Sequence, residues 1–389
     1  MRSRRVFLKN SALALFAAGS APLWMQRAVA ASYAPRKKVL VAIFQRGAVD
    51  GLNMVAPFGE AAYKALRPNI AIGDSIDLNG FFGLHPALAP LKPVYDAKQL
   101  AIVHAVGSPD ATRSHFDAQD YMESGTPGRK STSDGWLNRA LASEPSPSPV
   151  RAVSLGTSLA RSLRGSNGAL ALKDVNQFQV RDSMTGAFQA AYGSSGDTLL
   201  AGAGRETFEA MRILDTVRKT PYQPRAEYPQ NPLAQSLLQV ARLIRAGVGL
   251  EVAFADMPGW DTHANNFKSL KSNLLPTLDN AYSTLVEDLA ERGMLDDTLV
   301  VWLGDFGRTP KINSAAGRDH WVGSTVFCIG GGGVRTGLTV GRSDANAEQP
   351  ATDRIQVEDI ATTLYHLLGI DIEKHYTAPD GRPLRIFTQ

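Results

Sequence analysis

The chain is nearly free of cysteine. Cys328 is alone among 389 residues, so neither an intrachain disulfide nor a zinc site of paired thiolates can form. The sequence also lacks H-E-x-x-H, G-x-S-x-G and the lysine-bearing phosphate loop, which removes the common zinc-peptidase, α/β-hydrolase and nucleotide signatures. The four glycines at 330–333 match no phosphate-binding pattern and read as a sharp connection after a strand. No second long apolar run follows the one near the N-terminus, and a membrane span needs roughly 20 apolar residues. An excess of positive charge is missing as well. Five of the 41 basic residues and none of the 37 acidic ones fall in residues 1–30, so the remainder carries 36 against 37, a formal charge of −1. A balanced surface of this kind argues against nucleic acid or an anionic membrane as partner.

What the first 30 residues do have is an address. Arg4-Arg5 is followed by Val6-Phe7-Leu8-Lys9, an apolar and small-residue stretch covers 11–25, and Ala28-Val29-Ala30 supplies a small-x-small cleavage pattern. A basic start, a short apolar middle and this site, in that order, mark a twin-arginine signal peptide rather than an anchor. The implied partners are the twin-arginine export machinery and signal peptidase, and the expected location is periplasmic or secreted. The full chain is 44% hydrophobic, and with residues 1–30 set aside the rest still provides for a substantial buried core.

Continuous apolar runs at 39–44, 100–106, 250–255, 298–303 and 325–329 have the pattern of strands buried on both faces. Helical periodicity lies between them, at about 204–219, 233–246, 267–292 and 353–368. Buried strands alternating with amphipathic helices predict an α/β fold, a three-layer sandwich around a mainly parallel sheet. Residues 31–389 read as one domain, with a loop-rich insertion at about 143–232 where Pro, Ser and Gly cluster.

In such sheets ligands bind beyond the carboxyl ends of the strands, and polar residues gather there. Asp50 follows the first run, Arg113-Ser114-His115 the second, Asp261-Thr262-His263 the third, and Asp305-Phe306-Gly307-Arg308 the fourth, while Asp319-His320-Trp321 lies in a later loop. Singly, each has a plainer explanation: Asp before Gly forms turns, and D-x-H can be a hydrogen-bonded loop. Together they supply mixed oxygen and nitrogen donors for one or two divalent cations, with zinc, manganese, calcium and magnesium all left open. A metal would polarise a phosphoryl or sulfuryl oxygen, Ser114 would be the nucleophile, and Arg113 or Arg308 would hold the anion. His85, His104, His366 and His375 read as structural.

These residues carry a resemblance. F-Q-R-G-A-V-D-G-L-N at 44–53, S-H-F-D-A-Q at 114–119, G-W-D-T-H at 259–263, D-F-G-R-T-P at 305–310 and G-R-D-H-W at 317–321 resemble the bacterial secreted family catalogued as domain of unknown function 1501, from about residue 38 to the C-terminus. That family in turn looks like a branch of the alkaline phosphatase and sulfatase superfamily, similar here in the strand and glycine turn at 326–337 and the helix at 353–369. The resemblance implies an alkaline-phosphatase-like fold with Ser114 as nucleophile and Asp50, Asp261, His263, Asp305 and His320 as metal ligands. Three departures stand out: Phe306 where the superfamily has histidine, a shortened D-x-H at 261–263, and Thr362 in place of proline. They shift the expectation to one metal or a weakened pair. The function implied is an exported metal-dependent hydrolase or transferase acting on a phosphate or sulfate ester, small or polymeric. The alternative is a non-catalytic periplasmic binding or assembly protein on a degenerate scaffold of the same kind.

Overall fold

The computed structural model describes residues 38–141, 148–178, 198–322, 325–332, 337–351 and 355–373, with the short segments 375–377 and 383–385 and a few single positions. The segment read as an export signal lies outside the described residues. Each of the five apolar runs forms a strand of one eight-stranded sheet. Counting only the strands of this sheet, they are β1 (Val39–Gln45), β2 (Leu100–Val106), β3 (Ala152–Leu155), β4 (Leu170–Ala171), β5 (Val252–Met257), β6 (Thr298–Gly304), β7 (Thr325–Gly331) and β8 (Leu338–Val340). Their order across the sheet is β8-β2-β7-β6-β1-β5-β3-β4. All pairings are parallel except those of β7, which runs antiparallel to both β2 and β6. The sheet is therefore mainly parallel, with one reversed strand inside it. Two strands, β3 and β4, come from the Pro-, Ser- and Gly-rich stretch 143–232.

β1 lies at the centre and is buried along its whole length. Because side chains alternate across a strand, Val39, Val41 and Ile43 face one layer while Leu40, Ala42 and Phe44 face the other. The first layer contains α3 (Thr198–Lys219), α4 (Pro232–Ala246) and α5 (Leu275–Glu291); the second contains α2 (Trp136–Leu141) and α6 (Val357–Leu367). This is the three-layer sandwich that alternating runs and helices predict.

Helix ends follow local chemistry. Asn231 caps α4 by accepting from the Ala234 amide, Pro232 opens it, and Gly247 closes it at φ 64°. The periodic stretch at 267–292 is interrupted: Leu275 N–H reaches Leu270 O, an i to i−5 bond, before α5 begins with Pro276 in its first turn. A proline donates no N–H, so the wider turn is accommodated immediately ahead of it.

Candidate metal centre

Seven of the eight strands run the same way, and their carboxyl ends deliver the polar loops to one rim. At Gly47 (φ +114°) the chain after β1 passes so close to the 260–261 loop that a Cβ would sit 2.4 Å from the Asp261 nitrogen. Only glycine meets both demands. Ala48 follows at φ 70°, a conformation costly for an L-residue with a Cβ. Its N–H donates to Asp305 Oδ1 at 2.7 Å and its carbonyl accepts from Arg308 Nε at 3.1 Å, so the loop after β6 holds the turn after β1 in place. A two-residue antiparallel pairing of Gly307–Arg308 with His320–Trp321 then carries His320 to the same rim.

There the side chains of His115, Asp261, His263 and His320 gather, each offering one donor atom within 4.8 Å of all the others. Asp261 Oδ1 lies 3.1 Å from His115 Nε2, 3.1 Å from His263 Nε2 and 3.4 Å from His320 Nε2. His263 Nε2 and His320 Nε2 are 2.7 Å apart. The outer ring nitrogens are all engaged: His115 Nδ1 with Asp305 Oδ2 at 2.7 Å, His263 Nδ1 with Asp319 Oδ1 at 3.0 Å, and His320 Nδ1 with the Arg113 carbonyl at 2.6 Å. A carbonyl or an ionised carboxylate can only accept, so each Nδ1 carries the proton and each neutral ring presents a bare lone pair at Nε2. When the rings are neutral, three nitrogen lone pairs and a carboxylate oxygen thus converge on one point. His115 Nε2 is buried and makes no hydrogen bond of acceptable geometry. Such an arrangement repels itself unless a cation sits within it, and histidines backed by carboxylates or carbonyls are the usual surroundings of a metal.

The carboxylates make the cluster a place that favours positive charge. Burial alone would raise the Asp261 carboxyl, but the hydrogen bond from the buried Arg308 guanidinium and its positive charge outweigh it and hold the group ionised well below the usual carboxylate range. Burial disfavours the charged form of His115 too; the Asp305 and Asp261 carboxylates override it and raise the ring above its ordinary value. His320 is lowered, by burial first, despite the Arg113 carbonyl, with the nearby His115 and Arg308 charges adding to the fall. Asp261 and His263 are about half exposed, so the cluster opens to solvent on their side.

Of the five ligands expected from sequence, Asp261, His263 and His320 meet in this cluster and Asp50 and Asp305 stand outside it. Asp50 is buried as the cap of the short helix Gly51–Met54. Its Oδ2 accepts from Asn53 Nδ2 at 2.5 Å and Asn266 Nδ2 at 2.6 Å and pairs with Arg318 Nε at 3.4 Å, while its Oδ1 accepts from the Asn53 amide. Asp305 gives Oδ1 to the Ala48 and Phe306 amides and Oδ2 to His115 Nδ1 and Gln119 Nε2. It supports a ring of the cluster from behind.

His115 is the member that sequence reasoning passed over. It lies in S-H-F-D, directly after the serine expected as nucleophile. His115 opens helix α1 (His115–Ser124), with Ser114 at the cap position, its side chain accepting no hydrogen bond from the helix amides. Phe306 also acquires a role: its ring stacks on His115 at 4.8 Å and 18° and tilts against His320 at 4.9 Å, so it fixes two imidazoles at the position where the resemblance implied a further one.

Arg308 is buried, and each of its three nitrogens is bonded within the chain. Nε reaches Ala48 O, Nη1 reaches Arg318 O, and Nη2 reaches Gly47 O, Trp260 O and Asp261 Oδ1. Arg113 is the exposed guanidinium of the region, 5.4 Å above the Trp321 ring. Away from the rim, His85 caps the turn Pro86–Leu88 through Nδ1. His104 is wholly buried, bonded to Val55 O through Nε2, and lowered by burial to about 4, so it is neutral at physiological pH. Both act as parts of the framework.

Fold and site together define a class: a three-layer α/β protein carrying a histidine–aspartate cluster at the strand ends. Within that class the chain belongs to the family described as protein of unknown function (DUF1501), which matches residues 97–388. The match begins after β1, so the stretch from residue 38 rests on the motif at 44–53. No curated protein matches the chain. Among solved structures it is similar to the PsFucS1 sulfatase from Pseudoalteromonas sp., at 13% identity over 90% of this chain and 72% of that one with a TM-score of 0.37. It is similar also to alkaline phosphatase from the Antarctic bacterium TAB5, at 10% identity over 87% of this chain and 100% of that one, TM-score 0.35. A third is the lipoteichoic acid synthase LtaP from Listeria monocytogenes, at 11% identity over 91% and 75%, TM-score 0.40. Among the described residues, no helix is long and apolar enough to cross a membrane.

Proposed function

We propose that this protein is exported by the twin-arginine route and is a metal-dependent hydrolase or transferase of phosphate or sulfate esters. The observation that carries the reading is the convergence of three histidine Nε2 atoms and Asp261 Oδ1 at the rim, with one of them, that of His115, next to Ser114 in the chain. Three imidazoles and one carboxylate suit zinc best, since calcium and magnesium prefer sets made wholly of oxygen. A divalent cation there supplies Lewis-acid polarisation of a phosphoryl or sulfuryl oxygen.

The chain's own residues do the rest. Ser114 heads a ten-residue helix, where backbone N–H groups and the helix dipole favour an anion beside the hydroxyl. Its oxygen attacks phosphorus or sulfur, and the ester bond to the departing alcohol breaks. Water then removes the group in a hydrolase, or an acceptor hydroxyl does so in a transferase. Arg113, exposed beside Trp321, holds the anionic group, because Arg308 is buried and engaged with acceptors of the chain itself. The test is a panel of aryl phosphates and aryl sulfates assayed with the zinc-loaded, natively exported chain. Turnover should disappear on chelation, return with zinc, and fall by about 100-fold or more in Ser114→Ala. Absence of turnover across both ester classes would overturn the reading.

One observation favours a second reading. Four protein donors form a closed set, as in structural metal sites, whereas catalytic sites keep a position open. On that reading the cluster stiffens a binding or assembly surface, and Ser114→Ala leaves every phenotype untouched while metal removal does not.

A further inference from the structure

We infer that each chain holds one divalent cation, not two, with His115 as its fourth protein ligand and Asp305 as the residue that positions His115 from behind. The inference rests on the metal binding that both readings of this site propose, and deepens it. It starts from an inventory of lone pairs. Among the described residues, the donor atoms pointing into the cluster belong to His115, Asp261, His263 and His320. Of the remaining carboxylates at the rim, Asp319 backs His263 Nδ1 and accepts from Asn313, and the other two are held by groups of the chain itself. Asp305 has four partners, two backbone amides on one oxygen and an imidazole and an amide side chain on the other.

Asp50 is held by two asparagine amides, a backbone amide and the buried guanidinium of Arg318. That guanidinium is 1% exposed, donates to Thr309 O and lies over the Phe267 ring, so it is a fixed cation that cannot move aside. A second metal ion beside Asp50 would have to displace two amide donors and tolerate a neighbouring positive charge. Residue 306, at the rim between them, offers no ligand either: it is a phenyl group packed on His115 and His320. His115 fits the fourth position on three counts: its Nε2 is buried without a hydrogen bond, its Nδ1 is tied to a carboxylate, and Phe306 fixes its plane. A histidine oriented by a carboxylate in this way is a common arrangement for a zinc ligand.

The experiment measures metal stoichiometry and spectrum on the mature chain as exported, stripped by chelator and reloaded. Equilibrium dialysis against Zn²⁺ should give one equivalent per chain. Co²⁺ loading should give the intense visible absorption of a four-coordinate ion. His115→Ala should weaken Zn²⁺ binding at least 10-fold and bleach that absorption to the level of a six-coordinate ion. Asp305→Asn, which keeps an oxygen for the Ala48 and Phe306 amides, should keep one equivalent but bind 10- to 100-fold more weakly, the range seen for such supporting groups. Circular dichroism checks each fold, and the asparagine variant carries the test should the alanine variant fail to fold. Two equivalents in the wild type, or a His115→Ala protein with unchanged affinity and spectrum, would overturn the inference. One equivalent with no ester turnover would leave it standing and overturn the enzymatic reading; two equivalents with turnover would do the reverse.

Discussion

Replacing Arg308 with lysine separates scaffolding from substrate binding, because lysine keeps the charge and loses the geometry. The guanidinium serves five acceptors: the carbonyls of Gly47, Ala48, Trp260 and Arg318, and Asp261 Oδ1. A lysine ammonium has three donors radiating from one atom, so at least two of the five lose their partner. Each buried acceptor left bare costs about 1–3 kcal/mol, which places the change near 4 kcal/mol. Unfolding entropy of about 2.1 cal/mol/K per residue over the roughly 310 described residues converts this to a Tm lower by about 6 °C. Zinc affinity should fall with it, since Asp261 loses the group that holds its carboxylate in place. Thermal unfolding by circular dichroism and zinc titration give the two readouts. A variant with wild-type Tm and zinc affinity but a raised KM for anionic esters would refute the reasoning and return Arg308 to the substrate.

Two further outcomes concern other parts of the molecule. Asp279 sits in α5 with 1% exposure, and burial, only partly offset by the Ser283 hydroxyl and the Leu91 backbone, pushes its carboxyl up to about 7. A raised acid stabilises fully below its unfolded value of 3.8 and loses that contribution as pH climbs through about 7. At about 1.36 kcal/mol per pH unit the loss reaches about 4 kcal/mol. Asp279→Asn should therefore gain on the wild type between pH 4 and 7 and hold that gain above pH 7; thermal melts at a series of pH values giving parallel curves would refute this. Replacing Arg4 and Arg5 together by lysine should retain the precursor in the cytoplasm, as fractionation and immunoblotting would show; unchanged export would remove the twin-arginine proposal.

The sequence made the strands legible because a strand buried on both faces must be apolar throughout, and five such runs are conspicuous in a chain with 20% charged residues. β3, β4 and β8 were hidden for the opposite reason. They are four, two and three residues long, and runs so short cannot be told from loop by composition. The reversal of β7 was equally invisible, since an apolar pattern does not encode direction. At the site, Asp261, His263 and His320 could be picked out because they follow strand ends in polar clusters. Asp50 and Asp305 have the same signature and a different occupation, decided by Asn53, Asn266 and Arg318 in one case and by Ala48, Gln119 and His115 in the other.

Sequence by itself therefore determined the layered α/β architecture, the strand-end location of the polar residues and the family resemblance. All three depend on local periodicity or on short contiguous motifs. Only the tertiary structure decided which carboxylates face a common centre, which are consumed by hydrogen bonds, and that His115 belongs with two histidines about 150 and 200 residues further along the chain. Those facts turn on where lone pairs point after distant loops have packed, and the order of residues along a chain does not carry direction in space.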